Sequence, residues 1–190
     1  MLLIIMIYGC DSQKDSRKNG IQQIGFKVDP ALLEAPYQDS TLGIVFSPPK
    51  GCSRMPKDIV IEVKDQFKTL NTISAPFAIE PHQIFLNEEN HFACILSKLP
   101  VLANSDSSVY IYQQAIRDST DEKQVKQTSF LHNGLLIHQS LIINPIMIQF
   151  KLIIPQSESN SFQIDYVIPK SIYADYIEVI ESSIGSIKKQ

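Results

Sequence analysis

The segment spanning residues 135–188 constrains this chain more than any other, because its hydrophobic period changes from two to roughly 3.6 within it. Leu135, Ile137, Leu141 and Ile143 alternate with Leu136, His138, Ser140 and Ile142, and after Asn144-Pro145 the alternation resumes with Ile146, Ile148, Phe150, Leu152 and Ile154. A third alternating run, Phe162, Ile164, Tyr166 and Ile168, follows the polar stretch 155–161. Such a period puts every second side chain on one side of a pleated strand, so these runs predict an antiparallel meander with one apolar face. From Ser171 the apolar positions Tyr173, Tyr176 or Ile177, Ile180, Ile184 and Ile187 fall three or four apart, which predicts a helix over residues 171–187 lying on that face. Lys188 and Lys189 then stand at the negative end of the helix dipole, and Gly185 marks close packing or early fraying.

Upstream the signals are shorter. Residues 24–28 are a candidate first strand or a lead-in to the domain, and residues 42–46 read as a strand closed by Ser47-Pro48-Pro49-Lys50-Gly51. Pro56 and Asp58 open a helix carrying Ile59, Val63, Phe67 and Leu70 at helical spacing. Residues 77–79, 83–86 and 92–96 read as strands, the last two forming a hairpin across Asn87-Glu88-Glu89-Asn90. Residues 105–117, with Val109, Tyr112 and Ile116 on one side, predict a second helix. Thr128 to His132 is a strand turned back by Asn133-Gly134, where positive φ is tolerated. Strand, helix, strand pair, helix, meander and closing helix make an α+β pattern with an antiparallel sheet and packed helices.

The 190 residues fit one domain, here 21–190, with enough apolar content (44%) for a core that needs no staples. A net charge of -3 supplies no basic field for nucleic acid. Cys10, Cys52 and Cys94 show no CxxC spacing, so they signal neither a zinc site nor a disulfide scaffold; Cys52 and Cys94 are read as two unpaired thiols, with a disulfide as the alternative in an exported domain. The histidines His82, His91, His132 and His138 lack ligand spacing and read as surface or turn residues, so no metal is expected. Neither a G-x-S-x-G elbow nor a glycine-rich phosphate loop is present, so no cofactor and no catalytic residue are assigned.

Residues 1–8 are an apolar run, followed by Gly9-Cys10 and the polar stretch 11–20. Ile7-Tyr8-Gly9-Cys10 resembles a bacterial lipobox, in which the cysteine is diacylated and becomes the new N-terminus. The resemblance implies that 1–9 is a signal-peptide remnant, that Cys10 carries lipid, and that 10–20 tethers the domain to a membrane of the cell envelope. At about eight residues the run is far shorter than the roughly 20 that a transmembrane helix needs.

The Pro48-Pro49-Lys50-Gly51 break, the Asn133-Gly134 turn and the close of the chain from Tyr173 to Ile187, with Ser182-Ser183-Ile184, together resemble the PsbP-like family, which includes DcrB-like bacterial lipoproteins. That resemblance implies an α/β/α sandwich used for binding or assembly, without catalysis. The expected protein is therefore a lipid-anchored, non-catalytic envelope module with a protein partner; the alternatives are a periplasmic enzyme or small-ligand carrier, or a soluble α+β domain with a misread N-terminus.

One polar constellation emerges from strand register. Centring the first hairpin on Asn144-Pro145 puts Leu141 opposite Ile148 and Ile137 opposite Leu152, and the second hairpin puts Phe150 opposite Tyr166 and Leu152 opposite Ile164. On the other face the same register aligns His138, Lys151 and Asp165 as a candidate binding row, with a plain Lys151–Asp165 pair beside a solvated histidine as the competing reading.

Overall fold

The computed structural model of the chain describes residues 21–71, 79–99, 106–120, 124–156 and 161–190. The lipobox-like segment with Cys10, and residues 77 and 78 of the strand expected at 77–79, lie outside them. Strands β1 (Gln22–Gln23), β2 (Tyr37–Asp39), β3 (Ile44–Phe46) and β4 (Ser53–Arg54) precede helix α1 (Lys57–Asn71). The hairpin β5 (Glu80–Asn87) and β6 (Phe92–Lys98) leads to α2 (Asp106–Asp118). Then come β7 (Val125–His132), β8 (Leu135–Ile143), β9 (Met147–Ile154), β10 (Phe162–Pro169), α3 (Tyr173–Gly185) and β11 (Lys188–Lys189).

Among the described residues the strands form two sheets. The large one runs β1-β7-β8-β9-β10-β6-β5-β4 and the small one β11-β3-β2. Every pairing is antiparallel except the short β1–β7 contact. The expected α+β architecture, a large antiparallel sheet with packed helices, is the one observed.

The alternating face of the meander is the core. Ile137, Ile148, Phe150, Leu152, Ile164, Tyr166 and Ile168 meet Ile180, Ile184 and Ile187 from the closing helix and turn, together with Ile44 and Phe46 from the small sheet and Leu42 from its β2–β3 turn. Complete burial of Ile180 follows from its position on the apolar stripe of α3, and Ile187, two residues past the helix, is fully buried as well. Gly185 allows that helix to close in: a Cβ built there would stand 2.7 Å from Cβ of Phe26 and 2.9 Å from Cγ2 of Val28. A polar seam crosses the same layer, where the Tyr166 hydroxyl meets Ser183 Oγ at 2.9 Å and Ser183 donates to the Ser47 carbonyl at 2.7 Å.

Several expectations change. The helix ends at Gly185 rather than at 187, and Lys188 and Lys189, expected at the negative end of its dipole, pair with Val45 and Ile44 as an edge of the small sheet. The first strand is the pair Gln22–Gln23, with Ile24 adding one bond to Leu131, rather than residues 24–28. His132, expected at the surface or in a turn, is instead the last residue of β7 and buried: Nδ1 lies 3.0 Å from the Ile24 carbonyl and Nε2 3.0 Å from that of Gly185. Cys52 and Cys94, by contrast, are free thiols as expected, and both are buried.

The second hairpin keeps the expected register, with Phe150 opposite Tyr166 and Lys151 opposite Asp165. The first is displaced by two residues: Leu141 faces Phe150 and His138 faces Ile153. The turn is the cause. Pro145 and Ile146 occupy its corners, Asn144 N–H donates to the Met147 carbonyl, and the Asn144 side chain accepts from the amides of Ile146 and Met147. Proline suits the first corner, where φ is fixed and no N–H is required. A shift of two preserves the facing of every side chain, so the core is unchanged.

Candidate functional site

The expected row of His138, Lys151 and Asp165 divides into two networks. Lys151 Nζ lies 3.1 Å from Asp165 Oδ1, and Gln163 Nε2 donates to Asp165 Oδ2 at 2.6 Å. Tyr112 of α2 donates to Gln163 Oε1 at 2.8 Å. His138 stands one strand away and two residues along, with Nδ1 2.8 Å from the Ser129 hydroxyl. The face carrying all three is not open: Val109, Tyr112 and Ile116 of α2 pack there on Ile142 and Ile153. Asp165 is 5% exposed. Lys151, Asp165, Gln163 and Tyr112 therefore anchor α2 to the sheet by a buried hydrogen-bonded chain, while His138 belongs to a separate one.

A concave site lies elsewhere, between β2, the start of α1 and the first half of β5. It is a cleft of about 460 Å³ lined by Tyr37, Asp39, Arg54, Lys57, Lys64 and His82 among others. Asp39 is its centre and is only 6% exposed. Its Oδ1 accepts from the amides of Thr41 and Leu42, each at 3.0 Å, which is how an aspartate shapes the turn between β2 and β3. Its Oδ2 accepts from Tyr37 Oη at 2.9 Å and lies 2.7 Å from His82 Nε2.

His82 reaches Asp39 because of a local irregularity. Pro81 pairs with Ser97 and Gln83 with Leu96, so His82 is the extra residue of a β-bulge. Pro81 has no N–H to give the ladder, and a bulge re-aims the side chain it carries. Arg54 comes from the edge strand β4; its guanidinium sits 5.0 Å over the Tyr37 ring and its Nε donates to Gln83 Oε1 at 2.9 Å. Lys64, one turn or more along α1, pairs with Glu80 at 2.6 Å.

The electrostatics follow from these contacts. Burial alone would raise the Asp39 carboxyl, but the Leu42 amide, the Tyr37 hydroxyl and His82 outweigh it and hold the group below its ordinary value of 3.8. Burial and the same bond to Asp39 push Tyr37 up to about 12. Asp39 is thus a fixed negative charge already saturated with donors. The cations around it are less committed: among the described residues Lys57 has no ion pair, and the terminal nitrogens of Arg54 have no hydrogen-bond partner. No group of three or more His, Cys, Asp or Glu side chains able to hold a metal occurs among the described residues.

This site was missed from the sequence, although Asp39 four residues before Gly43, which has φ +64, is a turn signal. Nothing in the sequence brings residues 37–41, 54–64 and 81–83 together.

No protein-family model and no curated protein matches the chain. Among solved structures it is similar to the solution structure of cyanobacterial PsbP (CyanoP) from Synechocystis sp. PCC 6803, at 9% identity and a TM-score of 0.48, covering 84% of this chain and 94% of that one. Among the described residues no helix is long and apolar enough to cross a membrane.

Proposed function

We propose that this protein is a lipid-anchored cell-envelope protein, held by diacylated Cys10, whose folded domain is a non-catalytic module that binds a protein partner through the cleft of β2, α1 and β5. The anchor rests on Ile7-Tyr8-Gly9-Cys10 and the polar stretch after it. The binding role rests on one observation: Arg54 and Lys57 line an open cleft with donors to spare, whereas the carboxylate there is consumed by four hydrogen bonds. A carboxylate held ionised and saturated is poorly suited to moving protons and well suited to fixing the walls of a binding site.

Fractionation of the native host tests the anchor. Wild-type protein should sediment with membranes and carry an acylated Cys10 by mass spectrometry, and Cys10→Ala should release it; an unprocessed Met1 N-terminus in the soluble fraction would end this reading. A volume of about 460 Å³ also lies in the range of small-molecule sites, which favours a ligand carrier as the second reading. Co-purification of a small molecule with the native protein, in the absence of any crosslinked envelope protein, would select it.

A further inference from the structure

We infer that the cleft takes an extended acidic segment of the partner, which rests on the reading of the domain as a protein-binding module. Three features of the site converge on that ligand. The first is charge. In a chain of net charge -3, Arg54 and Lys57 stand together at one place without a carboxylate partner among the described residues, while Lys64 behind them is paired with Glu80. Asp39 does not cancel them outwardly, since it is 6% exposed and faces Tyr37, His82 and two amides. Stacking on Tyr37 with Nε tied to Gln83 leaves the terminal nitrogens of Arg54 as a pre-set fork for a carboxylate.

The second feature is main chain. The cleft is flanked by β2, the last strand of the small sheet, and by β4, the last strand of the large one. An incoming strand can hydrogen-bond to such an edge while its alternate side chains enter the cleft, a recurring mode of peptide recognition. The third is an apolar contact: Ile61 lines the cleft and is 59% exposed, on the same helix as Lys57 and Lys64. A bare anion would use the cations alone; a peptide alternating acidic and apolar residues uses cations, edge and Ile61 together.

The test is fluorescence anisotropy on the full chain in detergent, with a labelled hexapeptide alternating glutamate and leucine as probe. Its glutamine counterpart, inorganic phosphate and citrate serve as competitors. The glutamate peptide should bind, weaken at least tenfold in the Arg54→Gln/Lys57→Gln variant, and weaken further as salt rises. Both substitutions are at exposed positions, and an unchanged unfolding midpoint verifies that the variant is folded. Equal binding of the glutamine peptide, an unaffected double variant, or displacement by phosphate or citrate as effective as by unlabelled peptide would each overturn the inference. In vivo crosslinking separates the two levels. If wild type captures no envelope protein, the module reading fails; if wild type and double variant capture one equally, only the acidic-segment inference fails.

Discussion

Gly185 of α3 and Phe26 of the lead-in segment approach so closely that a methyl group on Gly185 would stand 2.7 Å from the Phe26 Cβ. That distance reverses a usual rule. Alanine in a helix is worth about 1 kcal/mol over glycine, yet overpacking a tight contact costs about 1–3 kcal/mol. The obstructing atom is next to the backbone, and the Phe26 ring is itself held edge-on against His132 at 5.1 Å between centroids. Gly185→Ala should therefore destabilise the domain by about 1–2 kcal/mol, read as a lower urea midpoint; a raised midpoint would show that the segment moves aside freely.

Asp39 makes stability depend on acid. Its carboxyl is held below 3.8 in the folded chain, so its contribution is fully present above the unfolded value and is lost as pH falls through the lower folded one. Asp39→Asn should flatten the acid limb of the unfolding profile and cost about 1–3 kcal/mol at neutral pH, because an amide cannot accept from all four donors. Superimposable acid limbs for wild type and variant would contradict this account.

The Lys151–Asp165 pair should behave as a buried unit. Lys151→Met leaves Asp165, 5% exposed, with its cation gone, at a cost of about 2–4 kcal/mol. Lys151→Met with Asp165→Leu should cost clearly less than the two single changes added together, and a double-mutant cycle measures the difference. Strict additivity would mean that the two side chains do not act on each other.

Thiol reactivity reports the core. Burial, with the nearby Glu34 charge, pushes Cys52 up to about 12, and burial pushes Cys94 well above its ordinary value. In a Cys10→Ala chain, where these are the remaining thiols, labelling by a thiolate-selective reagent at pH 8 should be slow and should follow global unfolding. Rapid labelling of either cysteine in the folded chain would place it at the surface.

The fold was legible where the signal is local. Alternation from Leu135 to Ile168 fixed which side chains share a face, and the three-and-four spacing of Ile180, Ile184 and Ile187 fixed what covers that face. The second hairpin register was legible for the same reason. The first was missed by two residues because alternation cannot distinguish shifts of two, and the turn chemistry of Asn144 and Pro145 decided it. Alternation is likewise silent about what lies over a polar face. Val109, Tyr112 and Ile116 were recognised as an apolar stripe, but their place above Ile142 and Ile153, which closes off Lys151 and Asp165, depends on packing between segments far apart in sequence. The cleft is further from legibility still, since one wall depends on a bulge at His82 and another on the pairing of Ser53 and Arg54 with β5.

The pairing of β11 with β3 has a consequence for the order in which this molecule assembles. Strand β3 lies between β2 and β11, and the Gln190 amide adds a bond to the Gly43 carbonyl at 2.9 Å. Contacts between such distant stretches of chain close a long loop and therefore form late. During synthesis the hairpin of β2 and β3 emerges early and must wait, one side uncovered, until residue 188 arrives. The small sheet, and with it the final setting of Asp39 at the centre of the cleft, is thus the latch that engages last, so the shape of the cleft becomes a readout of completed folding.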